Sequence, residues 1–343
     1  MIHYVLRRMF LLLFVLFSLS VLTFSLSFLF PGDPLNNLSG YQEITVNELA
    51  ILEDKYKINS DYLTQYIAFL RRIFSGDLGI SFNSQAPVFE QVNRIFPATV
   101  ELAVYSLLVS IIIGIPLGII SAYYHRRLPD TVILTTTLVG YSLPVFWWAL
   151  LIIFTFSLHF GWFPSSGRIG LVYEVPHISG FILLDILRSD IIYKYEALRN
   201  ALMHMALPTL VLTTYPTTVL IRYTRGSMLN VLETNYIKTA RAKGLSPFQV
   251  LLHHGLRNAL LPVIRLIGLQ FSSLITLAMI TEVIFSWPGV GRWLIESIYQ
   301  RDYPAIQGGL LAITTFVIIV TITSDILYKW FNPVSRTQVD GKF

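Results

Sequence analysis

The stretch YIKTARAKGLSPFQVLLHHGLRNALLP, residues 236–262, places four basic side chains between two long apolar segments. The basic residues are Lys238, Arg241, Lys243 and Arg257. The chain of 343 residues is 54% hydrophobic and 13% charged, about half the charged fraction of an average soluble domain. This composition predicts a protein that has the lipid bilayer as its solvent. The basic segment, as residues 236–262 are called below, is then a polar connection between membrane spans.

Local signals in the basic segment predict two helices that meet at a turn. Gly244 suits the left-handed conformation that ends many helices. Ser246 is the expected N-cap of the next helix, with Pro247 at its first position and Gln249 completing a capping box. The second helix is predicted to present one apolar face made of Phe248, Leu251, Leu252 and Leu256. Such a basic knob suits docking to a protein partner, and a helix lying on anionic lipid is the alternative.

Six apolar segments are long enough to cross a bilayer, for which a helix needs about 20 residues. They are residues 9–30, 98–124, 131–160, 205–221, 260–285 and 305–328. The first is expected to be an uncleaved anchor, because its apolar run is too long for a signal peptide and no small-residue cleavage site follows it. The predicted fold class is therefore an all-α, polytopic membrane protein with six transmembrane helices.

The distribution of basic residues predicts the orientation. The short segments on the side of the N-terminus carry 13 lysines and arginines, whereas 11 are spread over the longer segments of the other side. By the positive-inside rule, both termini and the basic segment are expected in the cytoplasm. The expected domains are an anchor helix over 1–30, an outside region over 31–97, a transmembrane core over 98–330 with a cytoplasmic loop over 222–258, and a cytoplasmic tail over 331–343.

Two long segments, 31–97 and 161–204, are expected on the outside. Around LTQYIAFLRRIF, residues 63–74, the apolar spacing predicts a helix. The two segments are interpreted either as a solvated cover over the helix ends or as a contact surface for an external partner, and the sequence does not favour one over the other.

No catalytic motif is present. The chain lacks the phosphate-binding pattern G-x-x-x-x-G-K-[ST] and the zinc pattern H-E-x-x-H, and it has no cysteine. His253 and His254 are adjacent, so their rings point in different directions on a helix and no metal site is expected. The charges lie in the gaps between spans rather than on one face, which argues against nucleic-acid binding. The chain is therefore not expected to be an enzyme or to hold a cofactor of its own.

Four ionisable residues lie inside the predicted spans, where charge is costly. They are Glu101, Arg265, Glu282 and Asp325. Each is near a span boundary, so we interpret them as side chains that reach out to the interface. None is at mid-span, which weakens the case for a proton-coupled carrier.

The motif KTARAKG, with LLP further on, resembles the cytoplasmic EAA loop of ABC-transporter permeases. The Glu-Ala-Ala triplet of that loop aligns with Lys238, Thr239 and Ala240 of this chain, so only its second alanine is kept. Further motifs look like those of dipeptide and oligopeptide permease B subunits. They are FPATVELA (96–103), SLPVFWWALL (142–151), GWFPSSGR (161–168), EVIFSWPGVGR (282–292), RDYPAIQG (301–308) and NPVSR (332–336). Within that branch, LITLAMITEVIFSWPGVGRWLI (274–295) most resembles the Sap-type permease of cationic peptides and polyamines.

This resemblance implies the type I importer (MetI-like) fold and a permease subunit that moves peptides, cationic peptides or polyamines across the bacterial inner membrane by alternating access. The implied partners are a homologous second permease subunit, two cytoplasmic subunits that bind ATP, a periplasmic solute-binding protein and membrane lipid. The implied contacts of the coupling loop with the ATPase are Lys238, Thr239, Ala240, Arg241, Ala242, Lys243, Gly244, Leu245, Ser246 and Pro247.

Two residues are candidates for the substrate pathway. Glu282 is the acidic residue expected at the outer mouth of the cavity, and Arg265 stands where most relatives have a small polar residue. The alternative for Glu282 is a structural role, as a cap or as the partner of a neighbour such as Arg292. The competing functions for the whole chain are an ion-coupled secondary transporter and a membrane assembly factor with no transport role.

Overall fold

The computed structural model of the protein describes residues 2–41 and 46–331, in which the regular elements are all helical. The helices are α1 (Ile2–Leu29), α2 (Pro34–Ser39), α3 (Val46–Tyr56), α4 (Tyr62–Phe74), α5 (Val88–Tyr123), α6 (Leu128–Ser142), α7 (Val145–Ile152), α8 (Ile182–Arg188), α9 (Lys194–Leu232), α10 (Asn235–Ala242), α11 (Pro247–Gln249), α12 (Leu256–Ile284), α13 (Val290–Tyr299) and α14 (Tyr303–Phe331). Two π-helical segments, Ile153–His159 and Val250–Gly255, follow α7 and precede α12. The motif NPVSR lies outside the described residues.

Among the described residues, four helices are long and apolar enough to cross a membrane: α1, α5, α12 and α14. The pair α6 and α7 makes a fifth candidate that is bent by 102°. The span predicted over 131–160 is therefore two helices with a bend between them rather than one continuous helix. Pro144 disfavours the helical conformation of the residue before it, and Leu143 accordingly has an extended ψ of 126°.

The predicted fourth span, 205–221, lies inside α9, a continuous helix of 39 residues. This helix is about 58 Å long, enough to cross a bilayer, but it does not contain an apolar window of span length. Its polar residues Thr209, Thr213 and Thr218 are buried, because α9 packs against α5, α6, α7 and α12. A helix that packs against protein on several sides does not need an apolar surface. With the four apolar helices and the bent pair counted as five crossings, a fold with six crossings requires α9 as the sixth.

Close packing of α5 on α9 depends on two glycines spaced as G-x-x-x-G. A Cβ atom at Gly114 would lie 2.8 Å from the Cβ of Leu220, and one at Gly118 would lie 2.7 Å from the Cβ of Thr224. Small residues at this spacing let two helix backbones approach each other within a membrane. The α5–α9 contact is thus the centre of the bundle.

The two ends of the bundle are fixed by contacts of α1 with α14. Arg8 forms an ion pair of 2.8 Å with Asp325, and Gln307 Nε2 donates to Ser27 Oγ at 2.8 Å. The first end, which also holds Arg265 and the basic segment, is called the N-terminal end below. The other, near Ser27 and Gln307, is called the opposite end.

The helices α2, α3 and α4 cover the opposite end of α1. They share a core whose members are Phe24, Leu35, Leu38, Leu52, Tyr56, Phe69 and Leu311. The Arg72 guanidinium lies 3.8 Å from the centre of the Tyr56 ring, and burial raises the pKa of Tyr56 to about 12. Tyr56 therefore stays neutral at physiological pH, and its contact with Arg72 is a cation–π interaction.

The α5–α9 contact makes a testable prediction about Gly118. In Gly118→Ala the new methyl group would also lie 2.9 Å from the Ile221 carbonyl oxygen, so we expect a loss of about 1–3 kcal/mol in stability from overpacking. Gly226→Ala is the matched control, because nothing lies within 4 Å of a Cβ atom there. We expect the control to keep or raise the melting temperature, followed by tryptophan fluorescence in detergent. Equal shifts in the two variants would contradict this packing.

Candidate functional site: the basic segment and its supports

The basic segment forms the turn that its sequence predicts. Gly244 has a φ of +81°, the left-handed conformation expected after α10. Ser246 Oγ accepts a hydrogen bond from the Gln249 amide at 3.3 Å, and Gln249 Oε1 accepts one from the Ser246 amide at 3.1 Å. This reciprocal pair is the predicted capping box. The helix–glycine–helix arrangement is confirmed.

The basic side chains of this segment point outward. Lys238 and Arg241 in α10 and Lys243 in the turn are exposed, whereas Ala240 is buried. Five other residues of the predicted coupling loop are also exposed: Thr239, Ala242, Gly244, Leu245 and Ser246. Pro247 begins α11. The segment therefore offers a basic, solvent-facing knob that is held from below by the buried side chains of Ile237, Ala240 and Val250.

The predicted apolar face of the second helix is wrong in part. Leu251 is buried, but Phe248 is 60% exposed. The physical reason is the π-helical segment Val250–Gly255, in which hydrogen bonds run from i to i+5 and the turns are wider. The spacing of three and four residues therefore no longer marks one face. The second helix is also not short, because it continues through the π-helical segment into α12.

A buried ion pair supports the helix that leads into the basic segment. Asp130 is buried and accepts hydrogen bonds from Arg225 Nε at 2.7 Å and Arg225 Nη2 at 2.8 Å. Ser121 Oγ and the Arg126 amide also donate to this carboxylate, at 2.5 and 2.8 Å. Arg225 is close to the end of α9 at Leu232. A displacement of this end of α9 must carry α5 and α6 with it or break the pair.

Sequence reasoning missed Asp130 and Arg225 as partners. The available signal was an aspartate in the short, basic loop YHRRLPD between two predicted spans. Its partner is 95 residues away in the sequence, and no local pattern indicates the pairing.

The Arg265 candidate lies at the N-terminal end of the bundle. Its Nε atom is 4.0 Å from Asp325 Oδ1, and the Arg265 side chain is 51% exposed. Asp325 is buried and also pairs with Arg8. Arg265 thus joins α12 to α1 and α14 through one carboxylate. Its assignment to the substrate pathway stays a prediction.

A second buried ion pair lies at the opposite end. Glu101 is fully buried and pairs with Arg168, whose Nε atom is 3.0 Å from Glu101 Oε2. Arg168 Nη2 also donates to the same carboxylate and, at 2.6 Å, to the Gly180 carbonyl oxygen. The guanidinium lies 5.6 Å from the centre of the Trp287 ring, and Trp287 Nε1 donates to the Ala98 carbonyl at 2.9 Å. These contacts attach the 161–180 segment to α5 and to the connection between α12 and α13.

Glu282 has the contacts of a helix cap. It is fully buried, and its Oε2 atom accepts hydrogen bonds from the amides of Gly291 at 2.8 Å and Arg292 at 3.1 Å. A carboxylate at this position compensates the free amides at the start of α13. The Arg292 side chain instead binds Glu296 at 2.6 Å. The assignment of Glu282 to the substrate pathway stays a prediction, and this buried placement gives it no support.

The interpretation of the four ionisable residues as side chains reaching to the interface is wrong for the three carboxylates. Glu101, Glu282 and Asp325 are all buried in the protein. Arginine side chains bind Glu101 and Asp325, and backbone amides bind one oxygen of Glu282; such contacts offset part of the hydration that is lost on burial.

A cavity of about 660 Å³ opens toward the opposite end, beside the first turns of α9. Its polar lining includes Glu196, Arg199 and Asn200, and its aromatic lining includes Trp162 and Tyr195. Glu196 and Arg199 are exposed. Sequence reasoning did not identify Glu196 as a cavity residue, because the rest of the lining includes residues from the distant 157–173 segment.

The central α5–α9 contact, the apolar outer helices and the exposed basic turn together define a polytopic helical membrane protein. The fold is shared with the methionine ABC transporter MetNI in an inward-facing conformation, with a TM-score of 0.50 and 15% sequence identity over 68% of this chain and 93% of that one. This similarity supports the fold class.

The chain belongs to the family of binding-protein-dependent transport system inner membrane components, whose model matches residues 114–337. A model of the N-terminal part of such membrane components matches residues 1–103. The di/tripeptide transport system permease protein DppB of Pseudomonas aeruginosa is 40% identical over 98% of this chain and 100% of its own length. The putrescine export system permease protein SapB of Escherichia coli K12 is 41% identical over 98% of both chains. These relatives confirm the peptide-permease resemblance.

The Asp130–Arg225 pair generates a prediction. In Asp130→Asn one buried charge loses its partner, so we expect a loss on the order of 3 kcal/mol in stability. Asp54→Asn is the control, because the Lys57–Asp54 pair of 2.6 Å is exposed and such pairs contribute less than about 1 kcal/mol. Thermal melting is measured for Asp130→Asn, Asp54→Asn, Arg225→Gln and the double variant Asp130→Asn/Arg225→Gln. The difference between the double variant and the sum of its single variants gives the coupling energy between Asp130 and Arg225. Additive losses in the double variant would show that the pair is not coupled.

Proposed function

We propose that the chain is one of two permease subunits of an ATP-driven importer of peptides in the bacterial inner membrane. Its partners are a homologous second permease subunit, two cytoplasmic subunits that bind and hydrolyse ATP, and a periplasmic solute-binding protein. The chain holds no ATP of its own in this proposal. Both termini and the basic segment face the cytoplasm, which agrees with the shared location of Arg8, Arg265 and Asp325 at one end of the bundle.

The observation that carries the proposal is the exposed helix–glycine–helix knob at the N-terminal end. Lys238, Arg241 and Lys243 face solvent on a turn whose geometry is fixed by Gly244 and the capping box. A rigid basic projection at the end of a membrane bundle suits a cleft in a cytoplasmic partner. Closure of the ATPases would push this knob, and the Asp130–Arg225 pair would pass the displacement to α5 and α6.

The substrate class in this proposal is peptides, with cationic peptides or polyamines as the more specific candidate. Two relatives with nearly the same identity are named for di/tripeptides and for putrescine. Substrates of both kinds carry amino groups at neutral pH. The cavity beside α9 supplies a carboxylate from Glu196 and aromatic faces from Trp162 and Tyr195, which are groups that attract an ammonium ion.

An ion-coupled secondary transporter has less support. Such a carrier needs ionisable groups that exchange ions near the middle of the membrane. In the described part of the chain, the buried carboxylates Glu101, Asp130 and Asp325 are paired with arginines, and Glu282 accepts from the backbone amides at the start of α13.

A substitution at Gly244 tests whether the geometry of the knob matters for coupling. In Gly244→Val the side chain has open space, since nothing lies within 4 Å of a Cβ atom there. The left-handed φ nevertheless costs a β-branched residue about 1 kcal/mol or more. We expect Gly244→Val to insert normally but to lose co-purifying ATPase activity and peptide uptake.

Gly244→Asn is the matched control, because asparagine tolerates the left-handed conformation. It should retain uptake and ATPase association. Wild-type coupling in Gly244→Val would show that the turn does not position the knob, and the absence of any co-purifying ATP hydrolase from the wild-type chain would reject the proposed function itself.

The cavity generates a prediction about charge. Glu196→Gln removes an exposed carboxylate from the cavity, so uptake of a cationic tripeptide should fall by roughly two- to fivefold, in line with a surface ion pair. Uptake of a neutral tripeptide of equal length should stay unchanged. Glu282→Gln serves as the comparison, since loss of a helix cap should lower the uptake of both peptides to the same extent. Selective loss of the cationic peptide in Glu282→Gln would instead assign Glu282 to the pathway.

A further inference from the structure

The helix α4 has two apolar faces, although it lies outside the predicted spans. One face, with Phe69 among its residues, packs into the core that α2, α3 and α4 share with α1. The other face carries Leu63, Ile67, Leu70 and Phe74, spaced by four, three and four residues. Leu63 is 66%, Ile67 50% and Phe74 86% exposed. Residues at this spacing form one stripe along a helix. Leu70 is half-buried, and the protein leaves the other three side chains of the stripe uncovered.

Contacts with α1 place α4 at the depth of the bilayer rather than above it. Tyr66 Oη is 2.6 Å from Ser20 Oγ, and the Tyr66 ring lies 6.3 Å from that of Phe17. Both partners belong to the apolar span Leu6–Leu29. Ser20 and Phe17 precede Leu29 by about 14 and 18 Å of helix. The stripe adjoins Tyr66 on the surface of α4. Because Tyr66 contacts α1, the stripe faces the same environment as the exposed side of α1.

The other side chains of α4 suit the boundary between acyl chains and headgroups. Thr64, Arg71 and Ser75 are exposed along one edge of the stripe. The lining of a cavity of about 440 Å³ beside it includes Ile67 and Ala68 together with the charged residues Lys55, Lys57, Arg71, Arg72 and Asp77. Apolar side chains beside arginine and lysine are typical of helices that lie in the plane of a membrane.

We propose that α4 is an interfacial helix that inserts the stripe Leu63–Ile67–Leu70–Phe74 into the phospholipid leaflet at the opposite end of the bundle. Its occupant is lipid, because the stripe continues the lipid-facing surface of α1 at the same depth. The outside region therefore contributes a membrane anchor as well as a cover. This inference does not depend on the substrate or on the ATPase partners.

The chain contains no cysteine, so single-cysteine variants can be labelled with a nitroxide without further changes. Leu63→Cys, Ile67→Cys and Phe74→Cys probe the stripe, Thr64→Cys and Ser75→Cys probe its polar edge, and Phe14→Cys in α1 is the lipid reference. The full chain, with the subunits that co-purify, is placed in nanodiscs of phosphatidylethanolamine and phosphatidylglycerol. Power saturation then measures access of dioxygen, which concentrates in acyl chains, and of a water-soluble nickel chelate.

We expect the three stripe positions to match Phe14→Cys, with access to dioxygen exceeding access to nickel, and this ratio to invert at Thr64→Cys and Ser75→Cys. Nickel access at the stripe equal to that at Thr64→Cys would overturn the proposal, because the stripe would then face water. Exclusion of both reagents from the stripe would also overturn it, because a protein would then cover α4. Melting curves of the labelled variants identify any that fail to fold, and the three stripe positions test the proposal independently.

Discussion

The cost of burying charge in a membrane protein governs this structure. A carboxylate inside the bundle is stable only where a cation or a set of amides replaces its water. Asp130 has Arg225, Glu101 has Arg168, and Asp325 has Arg8. These pairs lie toward the two ends of the bundle, whereas the centre is joined by the close contact of α5 with α9, in which Ser110 and Thr213 also donate hydrogen bonds to backbone carbonyls across the contact. The ends are therefore held by ion pairs, and the centre is held by close packing with a few hydrogen bonds.

Sequence reasoning predicted what depends on local chemistry. Hydrophobic run length identified the helices of four spans, and the order Gly244, Ser246, Gln249 predicted the turn of the basic segment correctly. It marked only residues 205–221 of the 39-residue helix α9, because α9 buries Thr209, Thr213 and Thr218 against neighbouring helices and does not contain an apolar window of span length. It also failed at Pro144, where one apolar run hides a bend of 102°.

The supports of the candidate site could not be read from the sequence. The partners Asp130 and Arg225 are 95 residues apart, and Glu101 and Arg168 are 67 apart. Each alone resembles an ordinary charge near a span boundary, which explains why the carboxylates were interpreted as interfacial. The role of Glu282 was equally hidden, since its partners are the backbone amides of Gly291 and Arg292, and no pattern of side chains predicts such contacts. Pairing across the bundle appears only when the helices are placed.

The π-helical segment between the basic turn and α12 has a consequence for evolution. In a helix each residue turns the chain by about 100°, and a π-turn absorbs one extra residue without breaking the helix. Because the wider turn absorbs that residue, the helix on either side of Val250–Gly255 keeps its phase, and the loss of one residue there would leave the basic knob pointing in nearly the same direction. A residue lost from the regular part of α12 would instead rotate everything beyond it by about 100°. Lineages of this chain should thus tolerate a change of length within Val250–Gly255 more readily than within α12.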